Sequence, residues 1–515
     1  MEKLFVIGSG GTGMRCLQAF VHLCAMGMFD DKEIHLLALD TDLDNANFAD
    51  LKKLINDCYL PIKGQDEAKR TALKDTFFSA NIKFYKFSPD YSKTDTQNPS
   101  KIFGLLHEDK NSTDLANLLF TKNVQEFDLK HGYRTQTHMG SMLMYNGILE
   151  AVNDLNTDIA RFLKALLDES QTGTEAKVFV MGSVFGGTGA SSIPVVPLAL
   201  RDAAFKAFNK AALTNIRYGA ALLTHYFTFN LASDTERARE KVLADAKNFP
   251  INSQAALMFY ENDKTVIETY DSFYIIGTEN STYQLIPNQK DTITGGDKQR
   301  NQSHYLELIA AGAAHSFFNT NTVNDSAVYY FKSIDQTGAL DFKDFINNDT
   351  FIKRFTWFTA MAFLVNLDNT DFIEAARNNK IEGETNYHQL GKEEVDALKR
   401  YFCFYLFGFR DNAGSLQNDW LRQLHRSAGG NNNLLFNPDI FSENVANIKF
   451  HEIFSNPKYK MHNLDISWGF TSAVGRTFDK FKDTFVKNTS HVSLNNLLEA
   501  MIKRMYDTLA LLYKF

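Results

Sequence analysis

The sequence predicts an α/β protein, in which helices cover a parallel sheet and a mainly helical C-terminal region follows. Two glycine-rich turns, at residues 8–13 and 186–189, each follow an apolar strand pattern and precede a helical pattern. Strand and helix patterns alternate up to about residue 330. This alternation is typical of a parallel sheet with helices on its faces. Beyond about residue 350 helical periodicity dominates.

The predicted strands lie at residues 3–8, 33–40, 177–184, 217–224 and 272–277. Helical patterns accompany them at residues 13–28, 131–170, 193–210, about 234–260 and 303–318. The last of these is apolar nearly all round, so we expect a buried helix. Residues 50–130 are less regular, and we expect an insertion with some helix.

The C-terminal part begins after residues 337–345, which we interpret as a loop entering a helix. Helical patterns then cover residues 351–367, 392–410, 473–487 and 493–514. We therefore expect a first domain over residues 1–330, a connecting loop and helix over 331–350, and a mainly helical domain over 351–515.

The composition is that of an ordinary globular protein, with 515 residues, 44% apolar and 22% charged. The net charge of −7 argues against a general nucleic-acid or anionic-membrane binder. The four cysteines form no CxxC pair, which argues against a disulfide framework or a zinc site. The longest apolar run, residues 357–367, is too short to span a bilayer. Because the chain opens into a strand rather than a signal peptide, we expect a reduced, cytoplasmic protein.

The first turn, Gly8-Ser9-Gly10-Gly11-Thr12-Gly13, fits the GxGxxG pattern between a strand and a helix. Glycine permits positive φ and lets successive N–H groups face one concavity, to which a helix N-terminus adds partial positive charge. Such a turn is a common anion site. Asp40 ends the next strand, where a dinucleotide enzyme holds a ribose hydroxyl. A Rossmann-type dinucleotide enzyme and an adenylyltransferase similar to ubiquitin-activating enzymes both remain open.

A second glycine turn, FGGTG, lies at residues 185–189. An ordinary dinucleotide-binding fold requires no glycine motif at that position. Two such turns suggest that one phosphate chain is gripped from two sides, and the alternative is two unrelated tight turns. The sequence here resembles the tubulin/FtsZ superfamily, whose signature is GGTG followed by Ser or Thr and a last Gly. Ala190 and Ser191 replace that final pair. The hydroxyls of Ser191 and Ser192 could still donate to phosphate.

Further matches to this superfamily follow in chain order. LALDTD, ending at Asp42, resembles the segment with acidic and Thr residues beside the nucleotide. Residues 219–229 and 271–277 resemble the next strands, and 301–318 resemble the long central helix. Residues 134–140 loosely resemble the loop near the γ-phosphate. The likeness covers roughly residues 1–350 and is greatest to divergent prokaryotic tubulin-like proteins.

The resemblance implies that the chain binds GTP or GDP together with Mg²⁺. The residues expected to bind the nucleotide are Gly8, Gly10, Gly11, Thr12, Gly13, Asp40, Thr41, Asp42, Gly186, Gly187, Thr188, Gly189, Ala190, Ser191, Asn301 and His304. Asp42 would also hold Mg²⁺ through water. His304, at the start of the central helix, would contact the base, although it could equally be a satisfied core histidine.

Residues 340–345, LDFKDF, resemble the superfamily's catalytic loop. Ala339 stands in place of its Asn, but two carboxylates remain as Asp341 and Asp344. At i and i+3 of a helix start they face the same way and could orient a water. The alternative is helix capping by a solvated acidic face.

The resemblance implies a GTPase whose carboxylates act on the nucleotide of a neighbouring subunit. Head-to-tail contacts of that kind build filaments, so we expect longitudinal self-assembly. A non-polymerising nucleotide switch or scaffold is the first alternative, since the C-terminal domain is unfamiliar, Asn is lost before Asp341 and the second turn is altered. The C-terminal domain could also bind a partner protein. An enzyme of the Rossmann or adenylyltransferase type is the second.

Overall fold

The computed structural model describes residues 1–42, 44–63, 74–89, 98–100, 102, 110–129, 132–173, 175–209, 213, 215–229, 233–234, 242–278, 299, 301, 303–321, 327–334, 349–366, 372–378, 387–408, 473–488 and 497–513. Within them, seven strands form one sheet in which every neighbouring pair is parallel. The strands are β1 Glu2–Ser9, β2 Lys32–Leu39, β3 Asn81–Phe87, β4 Ala176–Ser183, β5 Ile216–Leu223, β6 Ser272–Thr278 and β7 Val328–Ile334.

The strand order is β3-β2-β1-β4-β5-β6-β7. The chain therefore winds outward in one direction from β1 and in the opposite direction from β4. Leu4 of β1 pairs with Lys177 of β4, and Gly8 with Met181, so both strands end side by side. Ligands of open parallel sheets bind at such a switch point, outside the carboxyl ends of the strands. Both glycine turns leave the sheet there.

The helices of the N-terminal half cover both faces of this sheet. They are α1 Gly10–Ala25, α2 Ala46–Lys53, α3 Leu60–Lys63, α4 Lys110–Leu119, α5 Lys122–Glu126, α6 Thr137–Ala151, α7 Asp158–Ser170, α8 Thr188–Ser192, α9 Val196–Phe208, α10 Phe249–Asn262 and α11 Lys264–Thr269. A π-helical turn, Leu54–Tyr59, joins α2 to α3.

The later helices are α12 Tyr305–Asn319, α13 Asp349–Asn366, α14 Phe372–Arg377, α15 Lys392–Phe407, α16 Ala473–Lys487 and α17 Leu497–Leu512. Short 3₁₀ turns lie at Ala246–Asn248 and Tyr387–Gln389. No helix in the described part of the chain is long and apolar enough to cross a membrane.

Two hydrophobic cores lie on the two faces of the sheet, because successive side chains of a strand point to opposite sides. Leu4 and Val6 of β1 enter the core that contains α1, α12 and the C-terminal helices. Phe5 and Ile7 enter the other core, with α6, α7 and α9. The fold is therefore α/β with helices on both faces, as predicted, and the described residues beyond 349 are mainly helical.

The C-terminal helices share a core with the first half of the chain. His22 Nδ1 of α1 lies 2.9 Å from the Tyr401 hydroxyl of α15. Lys63 of α3 forms a buried ion pair of 3.3 Å with Glu499 of α17. These contacts attach the helical part to the layer that carries α1.

Two strands were not expected from the sequence, and both lie at edges of the sheet. β3, NIKFYKF, falls within the segment expected as an insertion, and its lysines reflect a half-solvated edge. β7, VYYFKSI, contains strand-favouring residues without polar alternation, and Phe331 on it is 75% exposed.

Some predicted helices are interrupted. The helical pattern over 131–170 breaks between α6 and α7, where Thr157 caps α7 by accepting from Ala160 N. The helix predicted over 193–210 begins only at Val196, as α9, and Pro194 lies in the turn between α8 and α9. Pro197 lies in the first turn of α9, where its missing N–H costs no hydrogen bond.

Candidate functional site

The two glycine turns meet at the switch point between β1 and β4. A Cβ placed on Gly10 would lie 3.2 Å from Gly189 N and 3.3 Å from Thr188 Cβ. The Ser9 hydroxyl donates to the Thr188 carbonyl at 3.3 Å. Segments 179 residues apart in sequence are thus joined by a direct hydrogen bond. A ligand held by one turn would also lie against the other.

The N-terminus of α1 presents uncapped N–H groups to this meeting point. The first N–H groups of a helix have no partner within the helix. Ser9 occupies the N-cap position, yet its side chain makes no capping hydrogen bond, and no acidic residue lies in the first turn. Because α1 has 16 residues, its dipole places partial positive charge at that end. An anion fits these donors.

Gly8 and Gly13 serve the packing of α1 on the sheet. A Cβ on Gly13 would lie 2.6 Å from Gly8 C and 2.9 Å from Met181 O. A Cβ on Gly8 would lie 2.5 Å from Leu17 Cγ. These two glycines bring the helix close to the strands, whereas Gly11 is half-buried and has no atom nearer than 3.4 Å to its missing Cβ.

The second turn packs against the segment that precedes α6. A Cβ on Gly187 would lie 3.0 Å from the backbone nitrogens of Arg134 and Thr135. Both residues have positive φ, 44° and 66°, which L residues adopt at a cost. Gly132, in the same segment, lies near the end of β2, since its missing Cβ would lie 3.4 Å from Thr41 Oγ1. The loosely matched segment at 134–140 therefore begins beside the second turn.

The serines after the second turn use their hydroxyls within the turn. Ser191 Oγ donates to Gly187 O at 2.6 Å, and Ser192 Oγ donates to Thr188 O at 2.7 Å. The Ala190 carbonyl accepts from the Tyr260 hydroxyl at 2.9 Å. Both serine hydroxyls are therefore engaged within the turn, and a ligand beside it would meet its backbone.

The end of β2 brings two carboxyl groups to the same place. Asp40 and Asp42 are buried, and Thr41 Oγ1 lies 3.3 Å from Thr188 Oγ1. Burial, with a smaller contribution from Asp42, raises the pKa of Asp40 to about 7. Asn45 Nδ2 donates to Asp40 Oδ2 at 3.3 Å. A buried carboxyl with this pKa can be protonated near neutrality and tolerate a nearby polyanion.

A buried ion pair connects the first turn to the start of α12. Arg15 Nε lies 2.6 Å from Glu307 Oε1, and the side chains are 2% and 1% exposed. The Tyr226 hydroxyl donates to the same Glu307 oxygen at 2.6 Å and accepts from Arg15 Nη2 at 2.9 Å. Arg15 also donates to the Gly11 carbonyl and to Thr12 Oγ1, each at 3.3 Å. Burial opposes the charge, but Glu307 and Tyr226 raise the pKa of Arg15 above its ordinary value.

His304 caps the same helix. The ring Nδ1 of His304 accepts from Leu306 N at 3.2 Å, and the backbone N–H of His304 donates to Glu307 Oε2 at 2.9 Å. Burial, and then Arg15, lower the pKa of His304 to about 3, so the ring is neutral. Asn301 N donates to Asn47 Oδ1 at 3.1 Å. Of the two residues expected at the base, His304 is therefore occupied as the N-cap of α12, and Asn301 lies in the segment before this helix.

Sequence reasoning missed Asn45, Asn47, Arg15, Glu307 and Tyr226. The asparagines follow Asp42 closely in LDNAN, a composition typical of a helix N-cap, which could have marked that segment. Arg15 and Glu307 are 292 residues apart, and no local pattern connects them.

The expected catalytic residues, Asp341 and Asp344, lie outside the described residues. Asp42, expected to hold Mg²⁺ through water, is buried beside Asp40. In the described part of the chain no group of three or more His, Cys, Asp and Glu side chains could hold a metal ion. The catalytic and metal roles stay predictions.

No protein-family model matches the chain, and a search of curated proteins gave no match. Among solved structures, the chain is similar to CetZ2 from Haloferax volcanii, described as a GTPγS-bound protofilament, with a TM-score of 0.27 and 14% identity. The match covers 63% of this chain and 60% of that chain, so this chain spans about 60% of the length of the structure it matches. The functional assignment therefore depends on the geometry of this site.

Proposed function

We propose that this chain is a tubulin-like GTP-binding protein that hydrolyses GTP and self-assembles. The observation that carries the proposal is the close approach of the two turns at the switch point, where Ser9 bonds to Thr188, beside the uncapped end of α1. One triphosphate between the two turns would receive backbone N–H donors from both. Selection of guanine over adenine rests on the sequence resemblance alone.

The charge of the triphosphate would be balanced without a P-loop lysine, because the sequence contains no GxxxxGK[ST] motif. The dipole of α1 supplies part of the compensation, and protonation of Asp40 removes one opposing charge. A bound Mg²⁺ would neutralise phosphate oxygens, and Asp42 would hold it through water.

Hydrolysis needs an oriented water and a fixed phosphate more than covalent help from the protein. The water oxygen would bond to the γ-phosphorus, the bond to the β-phosphate oxygen would break, and a carboxylate would accept the water's proton. By resemblance, Asp341 and Asp344 of a neighbouring copy would supply that carboxylate. Turnover would then require assembly.

A first experiment identifies the ligand and the need for assembly. Nucleotide released from the purified protein is identified by mass spectrometry, and GTP turnover is measured against protein concentration with sedimentation in parallel. We expect guanine nucleotide and a rate per subunit that rises with concentration as polymer pellets. Turnover without pelleting would favour the non-polymerising switch, and retention of NAD or ATP-dependent pyrophosphate exchange would favour the enzyme alternatives.

Gly11→Ala tests the position of the ligand. The added Cβ would lie 3.4 Å from Asn47 Nδ2, an ordinary contact, so the fold should remain intact. The methyl group would occupy the open side of the first turn, and we expect nucleotide affinity to fall about 10- to 100-fold, since each 1.4 kcal/mol is a factor of ten.

Gly173→Ala is the matched control, because no atom lies within 4 Å of its missing Cβ. Its φ of +84° makes the substitution mildly destabilising, while nucleotide affinity should not change. Equal affinities for the two variants, measured by titration with a fluorescent GTP analogue, would remove Gly11 from the site.

A further inference from the structure

Asn47, the second residue of α2, is buried beside the first glycine turn and is 1% exposed. Its amide orientation is set by a neighbour, since Asn301 N donates to Oδ1 at 3.1 Å. Its backbone is also fixed, because Asn47 N donates to Asn45 Oδ1 at 2.8 Å and Gln18 Nε2 donates to the Asn47 carbonyl at 3.2 Å. The side chain is therefore held in one position.

The second atom of this amide, Nδ2, has no acceptor among the described residues. A buried donor without an acceptor is costly, so such groups call for an explanation. Nδ2 lies on the side of the half-buried Gly11 where a side chain is missing, 3.4 Å from the place of its Cβ. A ligand atom over Gly11 would reach this donor.

The two adjacent glycines of the turn face different neighbours. Gly10 faces Thr188 and Gly189 of the second turn, whereas Gly11 faces the side chains of Asn45 and Asn47. Phosphates between the two turns would therefore lie on the Gly10 side. The rest of the nucleotide would extend over Gly11 toward Asn47 and Asn301.

We propose that Asn47 is a nucleoside-recognition residue whose Nδ2 donates to an oxygen or ring nitrogen of the ribose or base. The inference rests on the proposed nucleotide binding and adds a specificity contact to that site. The Asn301 bond aims the donor, so Asn47 also links the first turn to the segment before α12.

The test compares three ligands on the full chain by calorimetry: GTP, ribose 5-triphosphate and inorganic tripolyphosphate. Asn47→Asp keeps an acceptor for Asn301 N and removes the donor. We expect the affinity for GTP to fall at least tenfold more than that for tripolyphosphate. If ribose 5-triphosphate loses affinity like GTP, the acceptor is on the sugar, and if it behaves like tripolyphosphate, the acceptor is on the base.

Asn319→Asp is the charge-matched control, because it adds a carboxylate at an exposed amide at the far end of α12. It should leave the ratio of GTP to tripolyphosphate affinity unchanged. Asn47→Ala, which adds no charge, should change the ratio in the same direction as Asn47→Asp and serves if the aspartate variant does not fold.

Equal losses for GTP and tripolyphosphate in the Asn47 variants would overturn the inference and assign Asn47 a purely structural role in the turn. Unchanged affinities for all ligands would overturn it as well. Failure of the unmodified chain to bind either GTP or tripolyphosphate would instead refute the proposed function.

Discussion

The two glycine turns are similar in sequence, but the structure uses their glycines differently. In the first turn, Gly11 is half-buried and open, and the 16-residue helix behind it is uncapped. In the second turn, Gly187 and Gly189 lie against other backbone, and the helix that follows has five residues. The first turn has an open position at Gly11, whereas the second turn is held by its own hydrogen bonds and would meet a ligand through its backbone.

This difference teaches that a glycine motif combines two functions that sequence does not separate. Some glycines let the backbone approach a ligand, and others let one backbone approach another. A substitution of the first kind should impair binding and leave stability intact, whereas the second kind should do the reverse. The first prediction below tests that division, and the next two test the contacts around the two turns.

The largest expected effect is the loss of stability in Gly13→Ala and Gly189→Ala. Their new Cβ atoms would lie 2.6 Å from Gly8 C and from Ser183 O, which are backbone atoms that cannot move aside cheaply. We expect each variant to lose about 3 kcal/mol of unfolding free energy, the upper end for overpacking. Urea unfolding measures the loss of unfolding free energy, and Gly11→Ala serves as the reference variant, for which we expect a loss near zero. A Gly13→Ala variant as stable as Gly11→Ala would show that the two kinds of glycine do not differ.

The next largest effect is a loss of folding stability at acidic pH, which we expect from protonation of His304 on unfolding. The pKa of His304 is about 3 in the folded chain, below the ordinary 6.5, so the unfolded chain binds more protons between these values. Its contribution to stability is therefore complete above pH 6.5 and is lost as pH falls toward 3. At pH 5 the loss should be about 2 kcal/mol.

His304→Asn separates this contribution from those of His22 and His315, whose pKa values burial also lowers. Asparagine is a good N-cap and does not titrate, so the variant should lose about 2 kcal/mol less than the unmodified chain between pH 7 and pH 5. Urea unfolding of both proteins at pH 7 and at pH 5 measures this difference in unfolding free energy. Identical pH dependence in the two proteins would mean that His304 is not held neutral by burial.

The smallest effect is the coupling between the second turn and the end of β2. Thr41→Val and Thr188→Val each remove one hydroxyl of the 3.3 Å contact. A double-mutant cycle should give a coupling of about 0.5–1 kcal/mol, the ordinary net value of a hydrogen bond. Additive losses would show that the two hydroxyls do not interact in solution.

Much of the fold was predictable because it depends on local pattern. The apolar runs of β1, β2, β4, β5 and β6 lie in the sheet interior, where both faces are buried, and such strands are continuous in sequence. The two edge strands were missed, since an edge mixes lysines and exposed aromatics. The break between α6 and α7 and the late start of α9 depend on Thr157 and Pro194, whose local effects are easily outweighed by apolar periodicity.

The site was predictable in part. Glycine spacing marked both turns, because each turn needs backbone freedom at fixed positions. The Arg15–Glu307 pair and the Asn47–Asn301 bond were not predictable, since each joins residues more than 250 positions apart. Their partners are chosen by packing, which a single sequence does not display.

The sequence by itself determined that parallel strands alternate with helices and that two glycine turns end two of those strands. Only the tertiary structure decided that β1 and β4 are neighbours, so that the turns meet, and which glycines face backbone and which face open space. The physical reason is range: φ preferences and apolar periodicity act over a few residues, whereas strand order and burial are set by the whole core.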